Sequence, residues 1–388
     1  MNRTHVRLFR PAGPLLALLA CAGLAAVPAA AQTYTLTDLG TLGSTYSFGS
    51  AVNTAGQVTG YSYTADPNAQ HAFLSGGGGG ALKDLGTLGG TNSYGYGVNV
   101  SDQVTGGSDV AGNSAEHAFL SGAKGGILKD LGTLGGTNSF GLGVNASGQV
   151  AGGSSTARNS AEHAFLSGAN GGALKDLGTL GGINGSGSAV NASGQVAGSS
   201  YIAGNSAEHA FLSEANGGAL KDLGTLGGDY SYGVGVNDAG QVVGESLITG
   251  NSTYHAFLSE ANGGALQDLG PLGDGGSSGT GVNASGQVVG FFSFSGSVPS
   301  HAFLYSGGIM ADLNSLIAPG SGFTLEGANS ISDTGYITGV GLDSSGENHA
   351  FLLTPQAVPE ASSVVSLAVL LMLCLGGLMV SVRRRKRA

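Results

Sequence analysis

Short runs of alternating apolar and polar residues, separated by clusters of Gly, Asn, Asp and Ser, fill the chain from residue 32 to residue 357. A two-residue period describes half-buried β-strands, and no segment of this body keeps a helical period over the roughly 11 residues needed to reveal one. Gly235 to Gly244 (GVNDAGQVVG) reads as strand, turn, strand: Asn237 can start a type I turn, and Gly240 can take the left-handed conformation of a hairpin bulge. A second pair of runs, His255 to Ser259 and Ala265 to Leu269, is joined by Glu260 to Gly264 (EANGG), with glycines where the chain must reverse. Each unit therefore holds four short strands: a before the Asn, b from the Gln, c from the His, and d ending at Asp-Leu.

These units repeat. His-Ala-Phe-Leu begins at His71, His117, His163, His209, His255, His301 and His349, spaced by 46 residues five times and then by 48. Asp-Leu-Gly-Thr-Leu-Gly starts at Asp38, Asp84, Asp130, Asp176 and Asp222, with variants at Asp268 and Asp312. VNxxGQV carries Asn53, Asn99, Asn145, Asn191, Asn237 and Asn283 and ends in the divergent copy Ile331 to Ile337. Four-stranded units of about 40–50 residues are propeller blades in pattern, since β-helix coils and leucine-rich units are much shorter. Phase supports closure. Residues 34–39 are a lone d strand, and the last recognisable strand, at His349, is a c, so pairing the first strand onto the last unit would close a ring. The prediction is an all-β chain: a seven-bladed β-propeller over residues 32–357, rather than an open β-stack, which would need polar caps.

Two terminal segments stand apart. Residues 1–31 have a basic start, an apolar run from Leu15 to Ala26, and Ala29-Ala30-Ala31 before Gln32, the pattern of a secretory signal cut between Ala31 and Gln32. Such a segment implies passage through the Sec translocon and cutting by signal peptidase. Residues 358–388 hold Val358-Pro359-Glu360-Ala361-Ser362-Ser363, an uncharged apolar stretch over 364–382 that suits one transmembrane helix, and a basic tail at 383–388 that should stay cytoplasmic. This layout resembles the PEP-CTERM sorting signal of Gram-negative bacteria, with Ala361 in place of the second proline. The resemblance implies recognition by the membrane protease/transpeptidase exosortase, processing at Pro359 and Glu360, insertion in the inner membrane beforehand, and a cell-envelope or surface address in bacteria that make exopolysaccharide.

Composition now has reasons. The 74 glycines in 388 residues far exceed the average usage of about 7%, and only 10% of residues are charged. Hairpin turns, d-to-a connections and a crowded inner strand account for the glycines, as in Tyr94-Gly-Tyr-Gly-Val. The body between the terminal segments holds 6 basic and 23 acidic residues, a net charge near −17, which argues against nucleic acid or anionic lipid as partners. Both cysteines, Cys21 and Cys374, lie in the terminal apolar segments, so the body has no disulfide framework or thiolate metal site.

The repeated histidines and DLG aspartates read as structural, because each does one job per unit. Blade symmetry would hold the histidines too far apart for zinc, and neither an EF-hand nor the RTX nonapeptide is present; calcium stays a minor option and no other cofactor is expected. The GTLGG loops lack the Lys-Ser/Thr and helix of a phosphate cradle. Function is expected where repeats differ, in the b-to-c loops: Tyr61, Tyr63, Tyr201 and Phe292 could stack on sugar rings, and Arg158 is the single arginine of the body. Together the markers HAF, DLGTLGG and VNxxGQV resemble the HAF repeat family, a probable extracellular repeat, across residues 34–355. That resemblance implies location and repeat type but no chemistry. The expected function is a non-catalytic, surface-sorted module for exopolysaccharide or envelope matrix. Its alternative is a carbohydrate-active lyase or hydrolase at the mouth of the axis, with Asp66, Asp274 and Glu326 as candidate acids.

Overall fold

A computed structural model of the chain describes residues 32–294 and 300–356. The signal segment with Ala31, the Pro359-Glu360 motif, the apolar stretch 364–382 and the basic tail lie outside the described residues. Those described contain 28 strands and two short 3-10 turns, Ala157–Asn159 and Leu313–Leu316. Among them no helix is long and apolar enough to cross a membrane.

Strands follow the repeat. In the first complete unit, a is Gly43–Val52, b is Val58–Thr64, c is Gln70–Gly76 and d is Gly80–Asp84, paired antiparallel in that order. The order recurs in five four-stranded sheets and one of eight, whose two halves are tied by a single parallel pairing of Glu208 with Tyr230. The last sheet is completed from the other end of the chain. Its a, b and c strands are Thr324–Ile331, Ile337–Leu342 and Asn348–Pro355, and Tyr34–Asp38 takes the d place, running from Tyr34 opposite Pro355 to Asp38 opposite Phe351.

The core lies between sheets, and the period of two along each c strand explains how. Ala and Leu of one HAFL motif face forward while Phe faces back, so Ala72 and Leu74 pack with Val104 and Phe119 of the next unit. Ala118 and Leu120 meet Val150 and Phe165 in the same way. At the junction of chain ends Ala350 and Leu352 meet Val52, Val58 and Phe73, so the last sheet packs on the first. Every HAF phenylalanine is fully buried, each worth roughly 1.5–3 kcal/mol of transfer free energy.

Polar side chains stitch the same joints. The Ala72 N–H donates to Ser93 Oγ of the next unit at 2.9 Å, and Ala350 N–H donates to Ser47 Oγ at 2.9 Å across the junction of the ends. Asn53 Oδ1 accepts the N–H groups of Ala55 and Gln57, which makes the a-to-b turn, while its Nδ2 donates to Asn99 O of the next unit. Asn99, Asn145, Asn191 and Asn237 each repeat this donation to the unit that follows, at 3.0–3.1 Å. At the outer rim every HAF histidine places Nδ1 against a DLG aspartate: His71 with Asp84 at 2.9 Å, and so on to His349 with Asp38 at 3.0 Å. The aspartate also accepts a backbone N–H, as Asp84 Oδ1 does from Gly86 at 2.8 Å. Sheets in succession about an axial cavity, with a strands innermost, form a β-propeller.

Candidate functional site

Inner strands build the site. Along Gly43–Val52, Ser47 and Gly49 turn into the packing between sheets, while Tyr46, Phe48 and Ser50 stay partly open on the opposite side. The a-strand residues one repeat apart, Ser50, Tyr96, Leu142, Ser188, Val234, Thr280 and Asn329, all line one axial cavity. At its wider mouth the cavity holds about 620 Å³.

The mouth is uneven around the axis. Tyr46, Phe48, Tyr61, Tyr63, Tyr94 and Tyr96 form an arc of rings from the first two complete units. Tyr61 stacks on Phe48 with centroids 5.3 Å apart and meets Tyr94 edge-on at 5.2 Å; Tyr46 and Tyr63 meet edge-on at 5.8 Å. Burial pushes the phenol of Tyr96 up to about 12, with the charge of Glu116 adding to it. Burial, then Tyr46, raises Tyr61 as well. These phenols therefore stay neutral at physiological pH and offer faces and O–H groups, not nucleophiles. Ser50 Oγ is buried at the cavity wall without a hydrogen-bond partner among the described residues.

Carboxylates stand at matching register in later units, and none of them is among the residues that line the cavity. Glu116, Glu162 and Glu208 open successive c strands at the register of Gln70, which itself lines the mouth, and Glu245 stands at the register of Tyr61. Burial pushes the carboxyls of Glu116, Glu162 and Glu245 above the usual range; the charge of Asp109 adds to the rise at Glu116 and that of Glu208 adds at Glu162, while a hydrogen bond with Ser278 opposes it at Glu245.

Of the residues expected to face a ligand, Tyr61 and Tyr63 line this mouth, on a b strand rather than in a loop. Tyr201 is also on a b strand, half-buried and opposite Glu208. Arg158 is exposed in the 3-10 turn Ala157–Asn159, at a φ of +62°, and does not line the cavity. Phe292 is a correction: it ends strand Val288–Phe292 and is 1% exposed, packed with Val243, Ala256 and Phe303, so it cannot stack on a sugar. Alternation along the strand turns Phe292 inward and leaves its neighbour Phe291 outward, which a loop reading could not foresee. The inner-strand rings Tyr46, Phe48, Tyr94 and Tyr96 are not among the expected residues; Tyr46 and Tyr96 differ from most residues at their register, which is a usable signal, while Phe48 and Tyr94 hold a position that is aromatic again at Phe140 and Tyr232.

The acids suggested for catalysis are scattered. Asp66 caps the turn after the first b strand by accepting the N–H of Asn68, Asp274 lies in the connection before Ser277, and Glu326 sits on the last a strand; none lines the mouth. One trio not anticipated, Asp343, Glu347 and His349, brings its ligand atoms within 4.8 Å of one another. Asp343 Oδ1 there already accepts the N–H groups of Ser345 and Glu347, and His349 Nδ1 faces Asp38, so turn formation and the rim pair account for the grouping.

No family model matches the chain, and no curated protein matches it. Solved structures with a similar course of chain include TolB from Acinetobacter baumannii, at 12% identity over 78% of this chain and 64% of that one, with a TM-score of 0.45. The chain thus spans just under two thirds of that protein's length. The β-propeller domain of the Trilobed protease from Pyrococcus furiosus is similar over 84% of this chain and 96% of its own, at 8% identity and a TM-score of 0.49. A puromycin hydrolase is similar over 79% of this chain and 52% of its own, at 14% identity and a TM-score of 0.47. These likenesses concern the course of the backbone, and the site has to be read from its own residues.

Proposed function

We propose that the chain is an exported, non-catalytic, seven-bladed β-propeller that binds polysaccharide of the cell envelope or its matrix at the axial mouth. The observation that carries the reading is the arc of six rings on a cavity of about 620 Å³, because neutral aromatic faces in a partly dry recess are what the apolar faces of sugars stack against. Support for seven blades comes from the seven a strands that each contribute one residue to the axis and from Tyr34–Asp38 completing the last sheet. Support for export comes from the sequence alone. On this reading signal peptidase cuts between Ala31 and Gln32, the helix over 364–382 holds the chain in the inner membrane, and exosortase acts at Pro359 and Glu360 to release it to the surface.

Two measurements test this. Fractionation of the host with mass analysis of the C-terminus should find the body at the cell surface, ending near Glu360; an intact chain kept in the inner membrane would overturn the sorting. Titration of the exported protein with the host's own polysaccharide should give saturable binding that Tyr61→Ala weakens by about ten-fold or more. Absence of binding would overturn the ligand reading.

A further inference from the structure

On that reading of the mouth, which this inference presupposes, the wall of the cavity specifies which part of a polysaccharide can enter and what charge it can carry. Each a strand packs on the a strand of the next unit. The last of them, Thr324–Ile331, returns to the first: Asn329 Nδ2 donates to Gly49 O at 2.8 Å, and Ser330 Oγ accepts the Val52 N–H at 3.3 Å. The wall therefore has no opening at its side. Tyr96, Leu142 and Thr280, which line both the wide mouth and the narrower stretch beyond it, are reached along the axis alone. The mouth, at about 620 Å³, has the size of sites that enclose small molecules, roughly 300–1,000 Å³. The stretch beyond it, between valines such as Val98, Val190 and Val236, holds about 200 Å³ and is too small to continue such a site. A polymer can present its end to this recess, whereas the middle of a chain would have to enter doubled back on itself.

Every described side chain that lines the mouth is uncharged. Gln70, Ser188 and Asn329 bring amide and hydroxyl groups to it, and the phenols of Tyr61 and Tyr96 stay neutral. A carboxylate or ammonium brought in there would lose water and meet no opposite charge, while the hydroxyls of a neutral sugar meet donors and acceptors of their own kind. The net charge near −17 on the body adds to the rejection of acidic chains.

We propose that the mouth captures the end of an uncharged polysaccharide chain, the rings of Tyr46, Tyr61 and Tyr94 stacking on its terminal sugars while Gln70, Ser188 and Asn329 hydrogen-bond their hydroxyls.

The test uses the exported protein and the host's own envelope polysaccharide, separated by anion exchange into neutral and acidic fractions and cut into oligosaccharides graded by length. Calorimetry near neutral pH should show one protein bound per neutral chain at every length that binds, and at least about ten-fold weaker binding of the acidic fraction. Leu142→Trp and, separately, Val234→Trp put bulk into the axis and leave the rings in place. Each should weaken binding of neutral chains by about ten-fold or more, with an unchanged unfolding midpoint. A number of bound proteins that grows with chain length, or full binding by either variant, would overturn the capture of chain ends and leave the polysaccharide reading standing. Equal or tighter binding of the acidic fraction would overturn the selection for uncharged chains alone. Binding of neither fraction would overturn the polysaccharide reading and this inference with it.

Discussion

Gly152 sits on a b strand where an added Cβ would collide with the Phe140 carbonyl oxygen of the a strand and lie 2.9 Å from the Phe165 ring. Both neighbours belong to the packed interior, so neither can move cheaply, and Gly152→Ala should cost about 2 kcal/mol or more. Gly204 provides the control: it has a φ of +84° with nothing within 4 Å of the added carbon, so Gly204→Ala carries only the backbone cost, about 1 kcal/mol. Urea unfolding of the two variants measures the difference. At Glu162 the effect is electrostatic. Burial, and then Glu208, hold its carboxyl above the usual 4.5, so the group favours folding while protonated in both states and loses that advantage as pH rises through its folded value. Glu162→Gln should therefore be more stable than the native chain near pH 7, and the gap should close below pH 4.5, as read from melting temperatures across that range.

Among elements, the a-to-b turn does two jobs with one side chain. Asn145 Oδ1 accepts the N–H groups of Ser147 and Gln149 at 3.1 and 3.0 Å, and Asn145 Nδ2 donates to Asn191 O in the next unit at 3.0 Å. Asn145→Ala strands all three backbone groups and should cost about 2–3 kcal/mol. Asn145→Asp keeps the turn acceptors but turns a carboxylate toward the Asn191 carbonyl and toward Gln149 Oε1, which Nδ2 also reaches at 2.8 Å, so its loss reports the amide N–H groups apart from the two turn acceptors. Denaturant midpoints of the two variants separate those contributions. Burial of Asn145 and Asn283 also means that the triplets Asn145-Ala146-Ser147 and Asn283-Ala284-Ser285 serve the turns of the fold and are not open sites on the surface.

For the whole molecule, the decisive joint is between chain ends. Tyr34–Asp38 is held by its antiparallel ladder to Asn348–Pro355, by the Asp38–His349 pair and by Tyr34 in the neighbouring core. Burial pushes the Tyr34 phenol up to about 12. A chain that starts after Leu39 would bare the edge of Asn348–Pro355. The truncated protein should melt at least about 10 °C lower, over a broader range, and self-associate through that edge; calorimetry and light scattering check this. Much of the fold was legible before any coordinates. HAFL, DLGTLGG and VNxxGQV each report a local duty, such as an inter-sheet Phe or a turn Asn, and repetition at 46 residues makes each visible several times over. Gly152 and its counterparts were less legible, because their reason is the close approach of the a strand. The mouth was half legible: Tyr61 and Tyr63 stood out as variable aromatics, while Tyr94 was absorbed into a glycine-rich inner strand and Phe292 was read as a loop residue although it ends a strand and faces the core. Sequence by itself determined the unit, its four strands and the phase that leaves a d strand at one end and a c at the other, since these follow from local propensity and periodicity. Only the tertiary structure decided which side chains share the axial mouth, because residues 46 apart become neighbours only when sheets pack around a common axis, and a strand's placement and register set which of two adjacent rings faces the core.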